Sequence, residues 1–270
     1  MTLRRWKSTL RAGLERLRER PRRGAALPPL SVAVIAMDCR EDLIDLVEHV
    51  RGFASEVVVV DGGSRDGSIE WCRAEPLVKL VERPWDGHFG RQKNAALEAC
   101  SGEWILHLDC DERVGPRLLD RLPALCTGAA DFYRLPMYWL VSTGPDRYVD
   151  TPKHYPCHVP RLLRNRPEFR YCEDAPVHVR FPRAVTRSMV KIHGAHLFHY
   201  CFVWLSRAEL EQKAARYRRD HPGSEATTES YYLWWQEPHR LRDCAEPAPR
   251  VAHRDCAGDE DRRGRTAPDA

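Results

Sequence analysis

Three acidic side chains stand close together in the segment "LDCDE", residues 108–112. The preceding run, "EWILHL", has the alternation and the large apolar residues typical of a buried strand that ends at Asp109. Asp and Glu are poor strand formers, and they are costly to bury without a partner. We therefore expect Asp109, Asp111 and Glu112 to lie at a sheet edge, facing solvent or a ligand.

Two carboxylates one residue apart on such a bend can converge on a hard divalent cation, Mg²⁺ or Mn²⁺, which also binds phosphate oxygens. An Asp-x-Asp pair is common by itself, but a second strand also ends in an acid: Asp61 closes "EVVVVD" and precedes "GGSRDGS". Its turn glycines let a flat ligand approach the Asp61 carboxylate closely. A plain turn, with Ser64 as helix cap and Asp66 in the first helical turn, explains this segment alone. The two motifs together favour a ligand site.

The elements that must position these acids alternate between strand and helix. Apolar runs predict strands over 31–37, 56–61, 77–82 and 103–109, and amphipathic segments predict helices over 41–53, 64–74 and 89–100. This order indicates right-handed crossovers and an α/β protein with a doubly wound, mainly parallel sheet. Such sheets bind ligands at the carboxyl ends of their strands, so Asp61 and the acids at 109–112 could border one crevice.

The later part of the chain has a different residue composition. Loops rich in Pro, His, Arg and aromatic residues follow "DFYRLPMYWLV", which predicts a mixed or antiparallel extension of the sheet. Residues 206–220 form an amphipathic helical pattern. Beyond His221 the chain is polar, and we expect its last twenty or so residues to be disordered. The aromatic segment "YYLWW", residues 231–235, could dock on the body or touch lipid.

Composition narrows the class of protein. The 270 residues contain no apolar run near the roughly 20 residues needed to cross a bilayer and no secretory signal, so we expect a cytoplasmic location. The ten cysteines show no Cys-x-x-Cys spacing. Neither a disulfide framework nor a zinc site is therefore predicted, and the cysteines are interpreted as reduced thiols.

The basic residues are concentrated at the start of the chain. Residues 1–23 hold nine Lys or Arg against two Glu, whereas the whole chain has a net charge of only +4. A narrow apolar stripe, ended by Pro21, runs along this predicted cationic helix: Leu3, Trp6, Leu10, Leu14 and Leu17. The pattern suits an anionic membrane surface, or docking on the body of the same protein. We expect no nucleic-acid partner, because no recognition motif accompanies the charge.

On these motifs the chain resembles the family 2 glycosyltransferases of GT-A fold, over about residues 30–220 and most strongly over 31–114. The matching segments are "SVAVIAMDCRED", "ASEVVVVDGGSRDGS", "WDGHFGRQKNAALEACSGEWILHLDCDERV" and, more loosely, "RLLRNRPEFRY" and "HLFHYCFVWLSRAELEQKAARY". The chain is most similar to the branch with lipopolysaccharide core glucosyltransferases and peptide S-glycosyltransferases. The resemblance implies a metal-dependent, inverting transfer of a sugar from a nucleotide-diphosphate sugar to an envelope glycan, lipid-linked or peptide acceptor.

The residue patterns and the resemblance together predict a division of the chain. Residues 1–29 are expected to form the basic helix and a hinge, 30–114 the nucleotide-binding half of a glycosyltransferase domain, 115–220 its acceptor half, and 221–270 a polar, partly disordered tail. A peripheral position on the inner face of the cell membrane would follow from the basic helix.

Donor-binding roles carry over by position. Asp61 matches the acid that binds the donor base. Asp109 and Asp111 match the Asp-x-Asp pair that serves the donor ribose and the Mg²⁺ or Mn²⁺ ion. Lys93 and Asn94 stand where the family has Arg-Asn, with the cation facing the donor. We therefore expect Asp61, Lys93, Asn94 and Asp109 to bind the nucleotide sugar.

An inverting displacement needs a carboxylate to take the acceptor's proton and a cation to offset charge on the leaving diphosphate. Asp174 is our preferred base, with Glu173 as the alternative, although both could belong to a solvated loop. His199 falls where relatives place a His near the phosphates, so it is a candidate metal ligand or else a buried structural His. His178 could flank the acceptor.

The chain departs from the family pattern at Asp38, usually Asn, at Gly62, usually Asp or Ser, and at Val179, where relatives often have Glu. The last change leaves open a catalytically silent relative that acts as a membrane- or partner-binding module. A sugar nucleotidyltransferase shares the sheet type and metal carboxylates, but it needs a Gly-rich phosphate loop after the first strand, and "AMDCRED" is not one.

Overall fold

The computed structural model describes residues 26–175, 179–220, 231–236 and 238–251. Three of the expectations above lie outside these residues: the cationic helix over 1–23, the role of His178, and the disorder of the chain beyond 251. None of the described helices is long and apolar enough to cross a membrane.

The strands of the central sheet, in chain order, are β1 (Leu30–Ala36), β2 (Glu56–Asp61), β3 (Val78–Glu82), β4 (Trp104–Leu108), β5 (Glu112–Val114), β6 (Phe132–Thr143), β7 (Asp146–Asp150), β8 (Cys157–Arg164), β9 (Val190–Lys191), β10 (Leu197–His199) and β11 (Arg240–Asp243). The helices are α1 (Arg40–Val50), α2 (Ser68–Ala74), α3 (Phe89–Ala99), α4 (Pro116–Cys126), α5 (Arg183–Ser188), α6 (Cys201–Trp204) and α7 (Arg207–Asp220), and a 3₁₀ turn spans Trp234–Gln236.

The sheet has a parallel half and a mixed half. Its main path runs β11-β7-β6-β8-β4-β1-β2-β3. Strands β3, β2, β1 and β4 are parallel, whereas β8, β6, β7 and β11 pair antiparallel along the path. The predicted α/β class, a mainly parallel sheet with a mixed extension, is confirmed. The register pairs Val34 with Leu108 and Ala36 with Asp61, so β1, β2 and β4 end at the same edge.

The core lies on both faces of the parallel half. Four consecutive valines of β2, residues 57–60, point alternately to the two faces of the sheet. All four are fully buried because both faces are covered. Val57 and Val59 pack in one layer with Leu43 of α1, and Val58 and Val60 pack in the other with Leu97 of α3. This covering by helices on both faces leaves the strand ends as the accessible part of the sheet.

Helix α2 begins at Ser68 rather than at the predicted Ser64. The Asp66 carboxylate accepts hydrogen bonds from the amide and hydroxyl of Ser68, at 3.0 and 2.6 Å. Gly67, just before the helix, has a φ of 88°, a left-handed conformation that glycine adopts freely because it has no Cβ. Ser64 belongs instead to the preceding turn, because its hydroxyl bonds Asp61. The predicted helix start at residue 64 was therefore wrong, and the alternative interpretation of Ser64 as the helix cap does not hold either, because Gly67 is the cap residue.

Part of the chain beyond 220 also packs on the domain. Strand β11 pairs antiparallel with β7, and Glu246 is buried, with its carboxylate 2.9 Å from His196 Nδ1. The aromatic segment at 231–235 docks as well: Trp234 packs against Phe202. The sheet thus extends past the predicted boundary at residue 220, because β11 adds a strand to the edge at β7.

Candidate active site

Loops that follow β1 and β2 are tied together at the edge of the parallel half. The Asp38 carboxylate accepts a hydrogen bond from the Arg65 amide at 2.7 Å, and the Asp38 amide donates to the Ser64 hydroxyl at 2.9 Å. Asp38 has a φ of 50°, a left-handed conformation that Asp tolerates better than most residues. The residue that replaces the family's usual Asn therefore orders the turn after β2.

Asp61 is buried within its own turn. Its Oδ1 accepts from the amides of Gly63 and Ser64, both at 2.8 Å, and its Oδ2 accepts from the Ser64 hydroxyl at 2.5 Å. Only 1% of Asp61 is exposed. These contacts fix the carboxylate at the sheet edge; its predicted contact with a donor base remains a prediction.

Asp109 is held between two cations. Its Oδ1 lies 3.2 Å from Lys93 Nζ, and its Oδ2 lies 2.5 Å from Arg161 Nη2. Burial by itself would raise the pKa of Asp109, but the guanidinium of Arg161 and the ammonium of Lys93 hold that pKa well below its usual range. Asp109 is thus ionised, and the cation of Lys93 is already engaged with it.

Glu112 corrects one expectation, because it does not face solvent or a ligand. It is 1% exposed, its Oε2 accepts from the Asp109 amide at 3.2 Å, and its Oε1 lies 2.5 Å from Arg161 Nη2. Burial raises the pKa of Glu112 to about 7. The carboxylate turns inward because β5 pairs with β10, which places Glu112 opposite His199 in the ladder.

Asp111 faces a different group of side chains. Its Oδ2 lies 3.4 Å from His199 Nε2, and one ligand atom each from Asp111, His199 and Cys201 lies within 4.8 Å of the others. Burial lowers the pKa of His199, so its imidazole is neutral, as a metal ligand must be. His199 packs on Trp139 with ring centroids 4.0 Å apart, which orients the ring.

This donor set fits a divalent cation. Burial raises the pKa of the Cys201 thiol to about 11, so it stays protonated and Asp111 and His199 are the available ligands. A carboxylate and a neutral imidazole on one side of a partly buried site suit Mn²⁺ better than Mg²⁺, which prefers oxygen ligands and keeps several waters. The expected metal residues Asp111 and His199 are therefore brought together. Asp109, the third expected ligand, is not in this group and is paired with Lys93 and Arg161 instead.

Lys213 is a residue that the sequence reasoning missed. Its Nζ lies 3.3 Å from Cys201 Sγ and 4.9 Å from the centre of the Tyr232 ring. Burial opposes its charge, yet Tyr232, Cys201 and Asp111 together raise the pKa of Lys213, so it is a cation. No ion pair joins it to a carboxylate within the described residues. The available signal was its position between the buried Leu210 and Ala214 on α7.

Asn94 and Glu173 form a second group beside Lys93. Asn94 Oδ1 accepts from the Tyr171 amide at 2.8 Å, and Asn94 Nδ2 donates to the Tyr171 carbonyl at 3.1 Å and to Glu173 Oε1 at 2.9 Å. Arg91 Nε lies 3.5 Å from Glu173 Oε2. Asn94 thus positions the Glu173 carboxylate; its predicted contact with the donor is untested.

Asp174 points to a different partner. It is about half exposed and forms an ion pair with the Arg180 guanidinium, whose hydrogen bond lowers the pKa of Asp174. Val179, at the place of the family's Glu, packs against the apolar cluster on the α3 face of the sheet. Neither of these contacts involves Asp109 or Asp111.

Arg161 is the second residue that the sequence reasoning missed. It lies on β8, is 7% exposed, and its Nη2 bridges Asp109 and Glu112. The signal was an Arg in the middle of the strand "CHVPRLLR", directly before two leucines. A buried cation in a strand needs acidic partners, and those lie 52 and 49 positions away in sequence.

Comparisons with known proteins identify the family. Residues 31–190 match the model of the family described as glycosyl transferase family 2. The lipopolysaccharide core biosynthesis glycosyltransferase LpsC of Rhizobium meliloti is 32% identical over 121 residues, which are 43% of each chain. An uncharacterized glycosyltransferase of Rickettsia bellii is 39% identical over 104 residues, 38% of this chain and 30% of its own. The chain therefore matches less than half the length of these relatives.

Among solved structures, S. aureus TarS 1–349 in complex with UDP aligns with a TM-score of 0.46 and 16% identity, over 76% of this chain and 70% of that one. The family match covers more than half of the chain, so this protein belongs to glycosyl transferase family 2. The expected family is confirmed.

Proposed function

We propose that this protein is an inverting glycosyltransferase that uses a nucleotide-diphosphate sugar and a divalent cation. The observation that carries the proposal is the pairing of Asp111 with a buried, neutral His199 next to an ionised Asp109, at the carboxyl ends of parallel strands. Parallel sheets bind ligands at this edge. Family membership supports the transferase class.

The residues that would hold the cation are Asp111 and His199. When bound, a cation there would offset the negative charge of the donor diphosphate. Lys213, 3.3 Å from Cys201, is the nearby ammonium that would contact the same diphosphate. In this proposal Lys93 has another role than the resemblance implied: it fixes Asp109, which accepts from the donor ribose.

For the base that takes the acceptor proton, the contacts favour Glu173 over Asp174. Asn94 orients Glu173 from α3, the same helix that supplies Lys93 to Asp109. Asp174 is ion-paired with Arg180, and a carboxylate with a lowered pKa is a weaker proton acceptor. A single active carboxylate is expected, so the two positions can be separated by mutation.

The acceptor and the location are proposed from the similarity to LpsC and from the charge of residues 1–23. The name of the LpsC relative refers to lipopolysaccharide core biosynthesis, and we propose an envelope glycan, lipid-linked or peptide acceptor for this protein as well. The cationic residues 1–23 would hold it on an anionic membrane surface. Co-sedimentation with vesicles containing anionic lipid should then fall for a chain that lacks residues 1–23 and at high salt. Undiminished binding would exclude the anchor.

The central experiment measures release of nucleoside diphosphate from a panel of nucleotide sugars, with Mn²⁺, with Mg²⁺ or with EDTA. We expect one donor to be consumed with Mn²⁺ and not with EDTA. Asp120→Asn, an exposed acid on α4, is the matched control for Asp111→Asn. Nucleotide binding without release of diphosphate for any donor or acceptor would instead support the silent relative that Val179 suggests.

A further inference from the structure

Two cysteines meet at the edge that carries the candidate donor site. Cys39 follows β1, and Cys110 stands between Asp109 and Asp111 after β4. Their sulfur atoms are 3.2 Å apart, although the residues are 71 positions apart in sequence. No other pair of cysteine sulfurs is in contact within the part of the chain that the structure describes. Both residues are partly exposed. The hydrogen bond with Cys39 and burial raise the pKa of the Cys110 thiol well above its usual value, so Cys39 is the sulfur that a small reagent attacks first.

The surroundings hold these thiols next to each other. Strands β1 and β4 are hydrogen-bonded neighbours that run parallel, so the loops that leave them start side by side. Asp38, next to Cys39, is tied to Ser64 and Arg65, and Asp109, next to Cys110, is tied to Lys93 and Arg161. Each cysteine is therefore anchored by the residue before it, and the sulfur–sulfur contact does not depend on a mobile segment.

We propose that Cys39 and Cys110 form a modification site, a thiol pair that hydrogen peroxide converts to a disulfide. One sulfur attacks the peroxide O–O bond and becomes a sulfenic acid while the first water leaves. The second sulfur then attacks the first, the S–S bond forms, the S–O bond breaks, and the second water leaves with the thiol proton. Two thiols are oxidised by two electrons, and one peroxide is reduced to two waters.

Disulfide formation has a consequence for the donor site that rests on the proposed function. An S–S bond is about 2.0 Å long, so the two sulfurs must approach by about 1 Å. Cys110 lies between Asp109 and Asp111 in the chain, so this movement also shifts the turn that carries Asp111. The Asp111 carboxylate is then displaced from its position beside His199. A misplacement of that size at a reacting site can lower the rate about 100-fold.

The test treats the full-length chain with hydrogen peroxide, blocks the remaining thiols, and maps disulfides by mass spectrometry without reduction. We expect a cross-link between the tryptic peptide that ends at Arg40 and the one that contains Cys110, reversed by dithiothreitol. Cys39→Ser and Cys110→Ser should abolish it. Cys244→Ser, a partly exposed cysteine after β11, should form it as the unmodified sequence does. Cys100→Ala removes the other cysteine of the second peptide and should leave the cross-link in place.

Detection of the cross-link tests the modification site without any measurement of enzyme activity. Peroxide that oxidises Cys244 or produces sulfinic acid at Cys39 or Cys110 without the cross-link would overturn it. For the consequence, the rate of donor consumption with Mn²⁺ should fall about 100-fold in the cross-linked protein and recover on reduction. A cross-linked protein with an unchanged rate would overturn that consequence, whereas a reduced protein that consumes no donor would argue against the proposed function alone.

Discussion

Asp109 and Asp111 are two residues apart, yet their surroundings are opposite. Asp109 lies among fixed charges, with Lys93 and Arg161 on its two oxygens and Glu112 behind its amide. Asp111 has a neutral imidazole and a thiol within reach but no cation paired to its carboxylate among the described residues. The first carboxylate is therefore already neutralised by ion pairs within the protein. The second has only the charge of Lys213 acting on it without an ion pair, so it can take a further cation.

This difference separates two kinds of contribution. A carboxylate with buried partners contributes to stability, and removing a partner leaves an uncompensated charge. A carboxylate that awaits a cation contributes to function and costs little stability when it is replaced. If the comparison is right, substitutions around Asp109 should affect mainly unfolding, and substitutions around Asp111 should affect mainly turnover.

The largest effect is expected for Arg161→Met. The change leaves Asp109 and the buried Glu112 without their shared guanidinium, which should lower the free energy of unfolding by about 3–5 kcal/mol. Chemical denaturation measures it. The double variant Arg161→Met/Glu112→Gln should regain part of the loss, because one unpaired carboxylate is gone. Arg166→Met, which removes an exposed ion pair with Asp131, is the control and should cost at most about 1 kcal/mol.

The next effect concerns the proposed base. Glu173→Gln should lower the rate of transfer by about 100-fold or more at saturating donor, because a general base acts in the chemical step. Donor binding should be unchanged, as measured by titration with the nucleotide sugar. Asp174→Asn, its neighbour in sequence, should retain most of the rate. The opposite ranking would return the assignment to Asp174.

Asp111→Asn tests the functional half of the comparison directly. Its rate with Mn²⁺ should fall by about 100-fold, as when one group that offsets developing charge is removed, and its denaturation midpoint should stay within the range of ordinary surface changes. Stabilisation of the protein by Mn²⁺ in a thermal melt should disappear. A variant that melts far below the parent chain would show that Asp111 is structural, like Asp109.

The sequence was sufficient for the edge of the sheet but not for this division of roles. The strand ends and the α/β order follow from local apolar runs, which is why Asp61, Asp109 and Asp111 were placed correctly at one edge. Their partners could not be found in this way. Arg161 and Lys213 come from β8 and α7, and only the folded sheet brings them to the acids.

Local patterns also failed where a long-range contact overrides them. Glu112 belongs to the same acidic segment as Asp111. It lies in β5, which pairs with β10, and its side chain is buried against Arg161. Ser64 is a residue type that often caps helices. Here its hydroxyl instead donates a hydrogen bond to the Asp61 carboxylate and accepts one from the Asp38 amide. Asp174 and Glu173 cannot be ranked from their order in the chain, because the ranking depends on Asn94 and Arg180.

Lys213→Met should have a moderate effect on the same half of the site. If the ammonium contacts the leaving diphosphate, its loss should lower the rate at saturating donor by at least about tenfold, since one charge-assisted hydrogen bond is worth roughly 1.5–3 kcal/mol and about 1.4 kcal/mol is a factor of ten. Lys191→Met, on an exposed position of β9, is the matched control. A loss of stability with no change in rate would place Lys213 with the structural cations instead.

The smallest effect should appear in the choice of metal by His199→Gln. An imidazole nitrogen suits Mn²⁺ better than Mg²⁺, whereas an amide oxygen suits both, so the ratio of the rates with the two ions should fall several-fold toward Mg²⁺. The variant keeps a polar side chain beside Trp139, and the ratio is insensitive to a general loss of active protein because both rates come from one preparation. An unchanged ratio would mean that Asp111 binds the metal ion without His199 and that His199 is a buried structural residue. A changed ratio would set Asp111 and His199 apart from the Asp109 group, whose partners Lys93 and Arg161 cannot bind a metal at all.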